Sequence, residues 1–185
     1  MKRILPLLLT VLLLCGCNGA DDEMDRAMTL RSKMLARGVS FETVITADYG
    51  DKLHSFSVSC VADEQGNLTF TVLQPEVIAG ITGKITAAGG KLTFDDAALS
   101  FPLLADGQLT PVAAPWVLIK TLRSGYLTSC GGDGEYLRLA IDDSYEEDAL
   151  HLDIWLGSED LPVRGEVLWQ GRRILSLEIK NFTFL

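Results

Sequence analysis

Histidine is scarce in this chain, with two in 185 residues, and no pair of cysteines is spaced as CxxC or set among histidines. That excludes the usual zinc-site and thioredoxin-like patterns. No Gly-x-Ser-x-Gly occurs, so the sharp strand-to-helix turn of a serine hydrolase has no sequence to form it. Basic residues are outnumbered, 16 against 25 acidic, giving a formal charge of −9. Without a general basic field to attract phosphates, nucleic acid is not expected as a partner. No apolar run reaches the roughly 18 residues of a transmembrane helix, and no internal repeat stands out. What is present is a foldable composition, 48% apolar and 22% charged with 17 Gly and 6 Pro. It reads as one ordinary domain.

The one strongly biased segment is at the start. Met1-Lys2-Arg3 is cationic, and Ile4 to Leu14 is apolar except for Pro6 and Thr10. As a helix that run rises about 16 Å, half of a hydrocarbon core of about 30 Å, so it fits a secretory signal better than a permanent span. Leu14-Cys15-Gly16-Cys17 follows at once and resembles the bacterial lipobox. The resemblance implies a signal peptide over residues 1–16, cleavage between Gly16 and Cys17, and a diacylglycerol on the thiol of Cys17. Residues 17–25, with Asp21-Asp22-Glu23, are expected to form a flexible acidic tether. Losing Lys2 and Arg3 makes the mature body more acidic still, and such a body stands off anionic head groups. Acyl chains would hold it to the membrane with no spanning helix. The expected location is the extracytoplasmic face of the cell membrane. Asn18, in place of an Asp, leaves sorting to an outer membrane open where the host has one.

Cys60 and Cys130 remain in the mature chain, in a compartment that permits disulfides. Either they are bridged, which in the chain-entropy model is worth roughly 4 kcal/mol for so long a loop, or they are two separate buried thiols.

Periodicity supplies the rest. Met24, Ala27, Leu30, Met34 and Leu35 are spaced for one face of a helix, with Gly38 placed to cap it. Period-two alternation then takes over through Val39–Ile45, Phe56–Ala62, Leu68–Val72, Ile81–Ile85 and Leu92–Phe94, with Gly and Asp turns between. Residues 97–114 are irregular. A second helix is predicted from Pro115 to Arg123, with proline in its first turn and Gly125 at its end. Five further strand candidates follow, at 126–130, 135–141, 149–156, 163–170 and 173–184. The fold class is α+β and mainly antiparallel β, with about ten strands and two helices in a domain over residues 26–185.

Gln74-Pro75-Glu76-Val77-Ile78-Ala79-Gly80-Ile81, Leu92-Thr93-Phe94-Asp95-Asp96, the proline-bearing stretch before Trp116, Glu166-Val167-Leu168-Trp169-Gln170-Gly171 and Ile179-Lys180-Asn181-Phe182 together resemble the LolA/LolB/LppX-like lipoprotein superfamily. The nearest in style is the germination lipoprotein GerS of Clostridia. The resemblance is one of pattern over most of Ala27 to Leu185. It implies a strongly curved antiparallel half-barrel with the two helices on its concave side. It also implies that the concavity accepts a lipid or other apolar ligand or, in the GerS-like branch, that the domain binds an envelope enzyme such as a cell-wall amidase. Soluble LolA-type carriers lack an anchoring cysteine, and Cys17 argues against a shuttle. Candidate pocket residues are Phe41, Phe56, Phe70, Phe94, Trp116, Ile119, Trp155 and Trp169; the same residues also suit an ordinary packed core.

Nothing points firmly to catalysis. His151 has Asp153 two residues on, and His54 lies near Ser55 and Ser57, so a hydrolase triad can be drawn on paper only. Asp142 to Asp148 is the densest acidic run. It lacks the glycine and terminal glutamate of an EF-hand and reads as a solvated hairpin loop. No catalytic residue, metal or cofactor is assigned.

Overall fold

The computed structural model describes residues 18–50, 52–105 and 108–185. The leader expected over residues 1–16, the cleavage site at Gly16 and Cys17, and lipidation of Cys17 lie outside the described residues. The elements are α1 (Asn18–Ala36), β1 (Val39–Asp48), β2 (Leu53–Ala62), β3 (Leu68–Gln74), β4 (Thr82–Thr86), β5 (Gly89–Phe94), β6 (Ala97–Phe101), β7 (Leu104–Ala105), β8 (Gln108–Leu109), α2 (Ala114–Ser124), β9 (Tyr126–Asp133), β10 (Tyr136–Asp142), β11 (His151–Leu156), β12 (Pro162–Trp169) and β13 (Arg172–Phe184).

Eleven strands form a single open sheet in the order β6-β5-β4-β3-β2-β1-β13-β12-β11-β10-β9, while β7 and β8 make a small separate hairpin. Every pairing is antiparallel. Two meanders, β1–β6 and β9–β13, are thus joined by one non-local seam in which Ile45 faces Leu177 and Thr43 faces Ile179. Strict alternation makes the seam possible: Val39, Phe41, Thr43, Ile45 and Ala47 are buried while the residues between them are not.

The sheet curls around α2. That helix touches β2, β10 and β13, although β2 and β10 lie five places apart in the strand order. In a flat sheet five spacings are roughly 24 Å, whereas the helix is about 16 Å long. Ala114 to Ile119, Thr121 and Leu122 are all buried, while Lys120 and Arg123 are half-buried and Ser124 is exposed, as expected of a helix enclosed on all but one flank. Pro115 sits in the first turn, and the N–H of Gly125 donates to the Thr121 carbonyl at 2.8 Å. A Cβ at Gly125 would come within 2.6 Å of Ile141, so glycine is required here by packing. Arg123 ties the end of α2 to its surroundings, donating to the carbonyls of Met34 and Glu64.

Four expectations need correction. Residues 97–114, read as irregular, hold the edge strand β6 and the β7–β8 hairpin. The segment read as a tether is helical from Asn18. Its acidic residues stand near a helix N-terminus, where the dipole favours them, and Glu23 accepts from the Gly132 N–H at 3.1 Å while Arg26 binds Asp160 at 2.6 Å. The buried stripe of α1 is Ala27, Leu30 and Met34, with Met24 and Leu35 exposed. Finally, Gly38 is not a left-handed cap, since it is absent from the positive-φ residues. It is needed because a Cβ would lie 2.9 Å from the Ala62 carbonyl oxygen.

Cys60 and Cys130 are free thiols. One lies on β2 and the other on β9, with five strands between them in the sheet. Their equal suitability for small apolar sites is what sequence could not separate from pairing. Burial pushes the Cys60 thiol well above its ordinary value. Burial, and then the Glu23 carboxylate, raises that of Cys130, whose Sγ donates to the Glu23 carbonyl at 3.3 Å. Thiol labelling of the native chain followed by peptide mapping should modify Cys130 slowly and Cys60 only after unfolding. A Cys60–Cys130 disulfide-linked peptide recovered under non-reducing conditions would contradict this arrangement.

Candidate ligand cavity at one end of the concave face

The β12–β13 hairpin builds one wall. Its turn is Gln170-Gly171, both at positive φ, the tight turn whose twist matches the flanking strands. Just before it a bulge offsets the ladder: Val167 faces Leu175, but Leu168 faces Arg173 and Trp169 faces Arg172. Ile174 is the extra residue. Because successive side chains alternate faces, a bulge decides which residues of the strand end point inward. Here it turns Arg172, together with Trp169, to the inner side. Arg173 goes to the outer side, where it meets Glu166 at 3.1 Å.

These residues border a cavity of about 560 Å³, within the range of about 300–1,000 Å³ usual for small-ligand sites. Its apolar wall is Leu109, Pro111, Leu150, Trp169, Ile174 and Leu175. Leu109, Leu150 and Leu175 also belong to the main core, so the cavity is where the packed interior under the sheet stops. The polar part of the lining is Asp48, Tyr49, Asp143, Ser144, Asp148, Gln170 and Arg172. Arg172 Nη2 lies 3.5 Å from Asp48 Oδ1 and donates to the Asp48 carbonyl at 3.4 Å. Asp143 Oδ2 is 3.2 Å from Lys120 Nζ, and its Oδ1 accepts from the Leu150 N–H at 2.9 Å. That carboxylate therefore fastens the β10–β11 loop to α2. Asp148 is exposed and has no ion-pair partner among the described residues.

Of the eight residues proposed for a pocket, only Trp169 lines this cavity. Phe41, Phe70, Trp116 and Ile119 are buried in the core. The Phe41 ring stacks on Phe182 at 5.5 Å, and the Phe70 ring occupies the space that a Cβ at Gly83 would need. Phe56 is half-buried against the core, and Phe94 is 54% exposed beyond the helices' cover. Trp155 is on the other face of the sheet. Apolar type alone does not say which face or which end of a strand a residue occupies. Of the residues missed, Asp148 belongs to the run read as a solvated loop, and Arg172 falls between two strand candidates.

The outer face carries a polar network. Arg138 makes two hydrogen bonds to Asp153, at 3.0 and 2.7 Å, and these raise the Arg138 guanidinium above its ordinary value. Asp153 is only 5% exposed. Trp155 donates its indole N–H to Asp133 at 2.7 Å and carries the Arg164 guanidinium 3.6 Å above its ring. His151 has Asp142 at 2.7 Å from Nδ1 and Asp153 at 3.5 Å from Nε2. With a carboxylate near each ring nitrogen, and no serine hydroxyl bonded to it among the described residues, His151 belongs to this polar network, and no triad is assembled around it. No group of three or more His, Cys, Asp or Glu side chains is arranged to hold a metal among the described residues. Among them, no helix is long and apolar enough to cross a membrane.

No protein-family model matches this chain, and no curated protein sequence matches it. Solved structures do. An uncharacterized conserved protein from Thermus thermophilus is similar at 12% identity and a TM-score of 0.49, over 88% of this chain and 87% of that one. A LolA superfamily protein from Nitrosomonas europaea is similar at 6% identity and a TM-score of 0.44, over 86% and 93%. The Mycobacterium tuberculosis lipoprotein LppX is similar at 9% identity and a TM-score of 0.43, over 87% and 93%. All three scores lie below 0.5, so the fold described above rests on this chain's own strand order, and no property of these proteins passes to it.

Proposed function

We propose that this chain is a non-catalytic, membrane-anchored extracytoplasmic lipoprotein that binds a lipid or other apolar ligand at one end of its concave face. The observation that carries the reading is the cavity of about 560 Å³, floored by core leucines and walled by Trp169. Elsewhere α2 fills the curl of the sheet, and the apolar wall of this hollow, left open to water, costs free energy that a ligand would recover. The anchor is the Cys17 thioether read from the lipobox-like stretch. It places the chain on the outer side of the cell membrane, or on an outer membrane in a host that has one.

Organic extraction of the chain purified from its native membrane, followed by mass spectrometry, should recover an apolar compound at close to one per chain. An Ile174→Asp variant, which puts a charge on the cavity wall, should retain several-fold less of it. Extracts of the two proteins that do not differ would overturn the reading. The anchor has its own check. Intact mass of the mature chain should begin at Cys17 and exceed the peptide mass by a diacylglyceryl group, and Cys17→Ser should remain unprocessed. A Cys17→Ser chain that is cleaved normally and stays on the membrane would rule the anchor out.

A second reading, a GerS-like module that binds an envelope enzyme such as a cell-wall amidase, is favoured by the free edge at β6. Leu99 is 65% exposed there, and the strand's outer hydrogen-bonding side has no partner in the sheet order. Such an edge accepts a strand from another chain. Cross-linking in native membranes should then join an amidase to the segment 97–101, with the yield falling in Leu99→Lys. An unchanged yield in that variant counts against edge pairing.

A further inference from the structure

We propose that the ligand of the cavity is an apolar chain ending in a positively charged ammonium group, a proposal that rests on the cavity being an apolar-ligand site in the first place. The groups at its polar side converge on that chemistry. Three carboxylates, Asp48, Asp143 and Asp148, are in the lining, against one guanidinium, Arg172. Arg172 is already engaged by Asp48, and Asp143 by Lys120. Asp148 alone is left without a counter-ion among the described residues, so the lining presents a net negative charge to whatever enters. Two aromatic rings, Tyr49 and Trp169, share the lining with these carboxylates. Aromatic faces beside carboxylates suit a cation that is weakly hydrated and carried on carbon, because the ring quadrupole and the carboxylate both attract it.

An anionic head meets the opposite conditions. Its charge would be repelled by Asp148, and at Arg172 it would meet the Asp48 carboxylate already beside that guanidinium. The chain's formal charge of −9 adds a long-range bias of the same sign. A phosphate or carboxylate head without an amine is therefore disfavoured, and a neutral head is expected to fall between the two.

The test uses three probes of equal chain length, dodecyltrimethylammonium, dodecyl maltoside and dodecyl sulfate, titrated below micelle formation into the full chain. Binding is read as the part of the tryptophan fluorescence change that disappears in Trp169→Phe. The ammonium probe should bind at least about tenfold more tightly than the sulfate, the scale expected from one or two partly exposed charge contacts. That ratio should shrink in about 0.5 M salt. It should also fall several-fold in Asp148→Asn, whose side chain holds nothing else in place among the described residues. Equal binding of all three probes, or tighter binding of the sulfate, overturns the ammonium proposal and leaves the apolar site standing. A preference that survives both Asp148→Asn and Asp48→Asn overturns it as well. If none of the probes produces a Trp169-dependent change, the apolar-ligand reading itself falls and this proposal with it.

Discussion

An eleven-residue helix whose first six residues are all buried is the constraint on which this fold turns. Apart from the flank that carries Lys120, Arg123 and Ser124, α2 cannot face water, so it exists only if the sheet wraps it, and the sheet's inner stripes are covered only because it is there. Neither partner is stable alone in this form. A lone helix of that length is marginal in water, and a bare sheet with Ile45, Leu152, Ile154 and Leu177 on one side would expose a continuous apolar band. The fastening is polar and sits toward the C-terminal end of α2. Arg123 reaches carbonyls of α1 and of the turn after β2, while Lys120 reaches the β10–β11 loop.

The convex side solves a different problem. It has no helix over it, yet Asp153 and Trp155 are nearly as hidden as core residues. Long side chains from neighbouring strands roof them, Arg138 across from Trp155 on one side and Arg164 across from it on the other. Arginine suits this task because its planar head stacks on indole while its edge serves a carboxylate. The network is thus a surface layer that shields β11 from solvent, and its acidic members near His151 have a structural reason to be there.

How much of this was readable beforehand depends on range. The local signals spoke clearly: the period of two in Val39–Ile45, the proline and glycine that bracket α2, and the Gln170-Gly171 pair between two strand candidates all lie within a few residues of what they determine. The pairing of β1 with β13 did not show, because nothing in either stripe names its partner; both are simply alternating and apolar. Face assignment failed for the same reason. Trp116, Trp155 and Trp169 have one composition and three fates, in the core, on the convex face and on the cavity wall. For Trp169 and Arg172, parity is settled by a bulge at Ile174 that leaves no mark in the residue types. The early start of α1 was legible in part, since Asp21-Asp22-Glu23 suits a helix N-terminus as well as it suits a solvated linker.

The two separated thiols carry a consequence for where the chain can live. A fold whose described cysteines stay apart owes none of its stability to an oxidant, so it gains its final shape without a disulfide catalyst. Among the described residues, no covalent tie in the fold distinguishes aerobic from strictly anaerobic surroundings. The redox poise of the space around it is not one of the conditions the described fold has to satisfy.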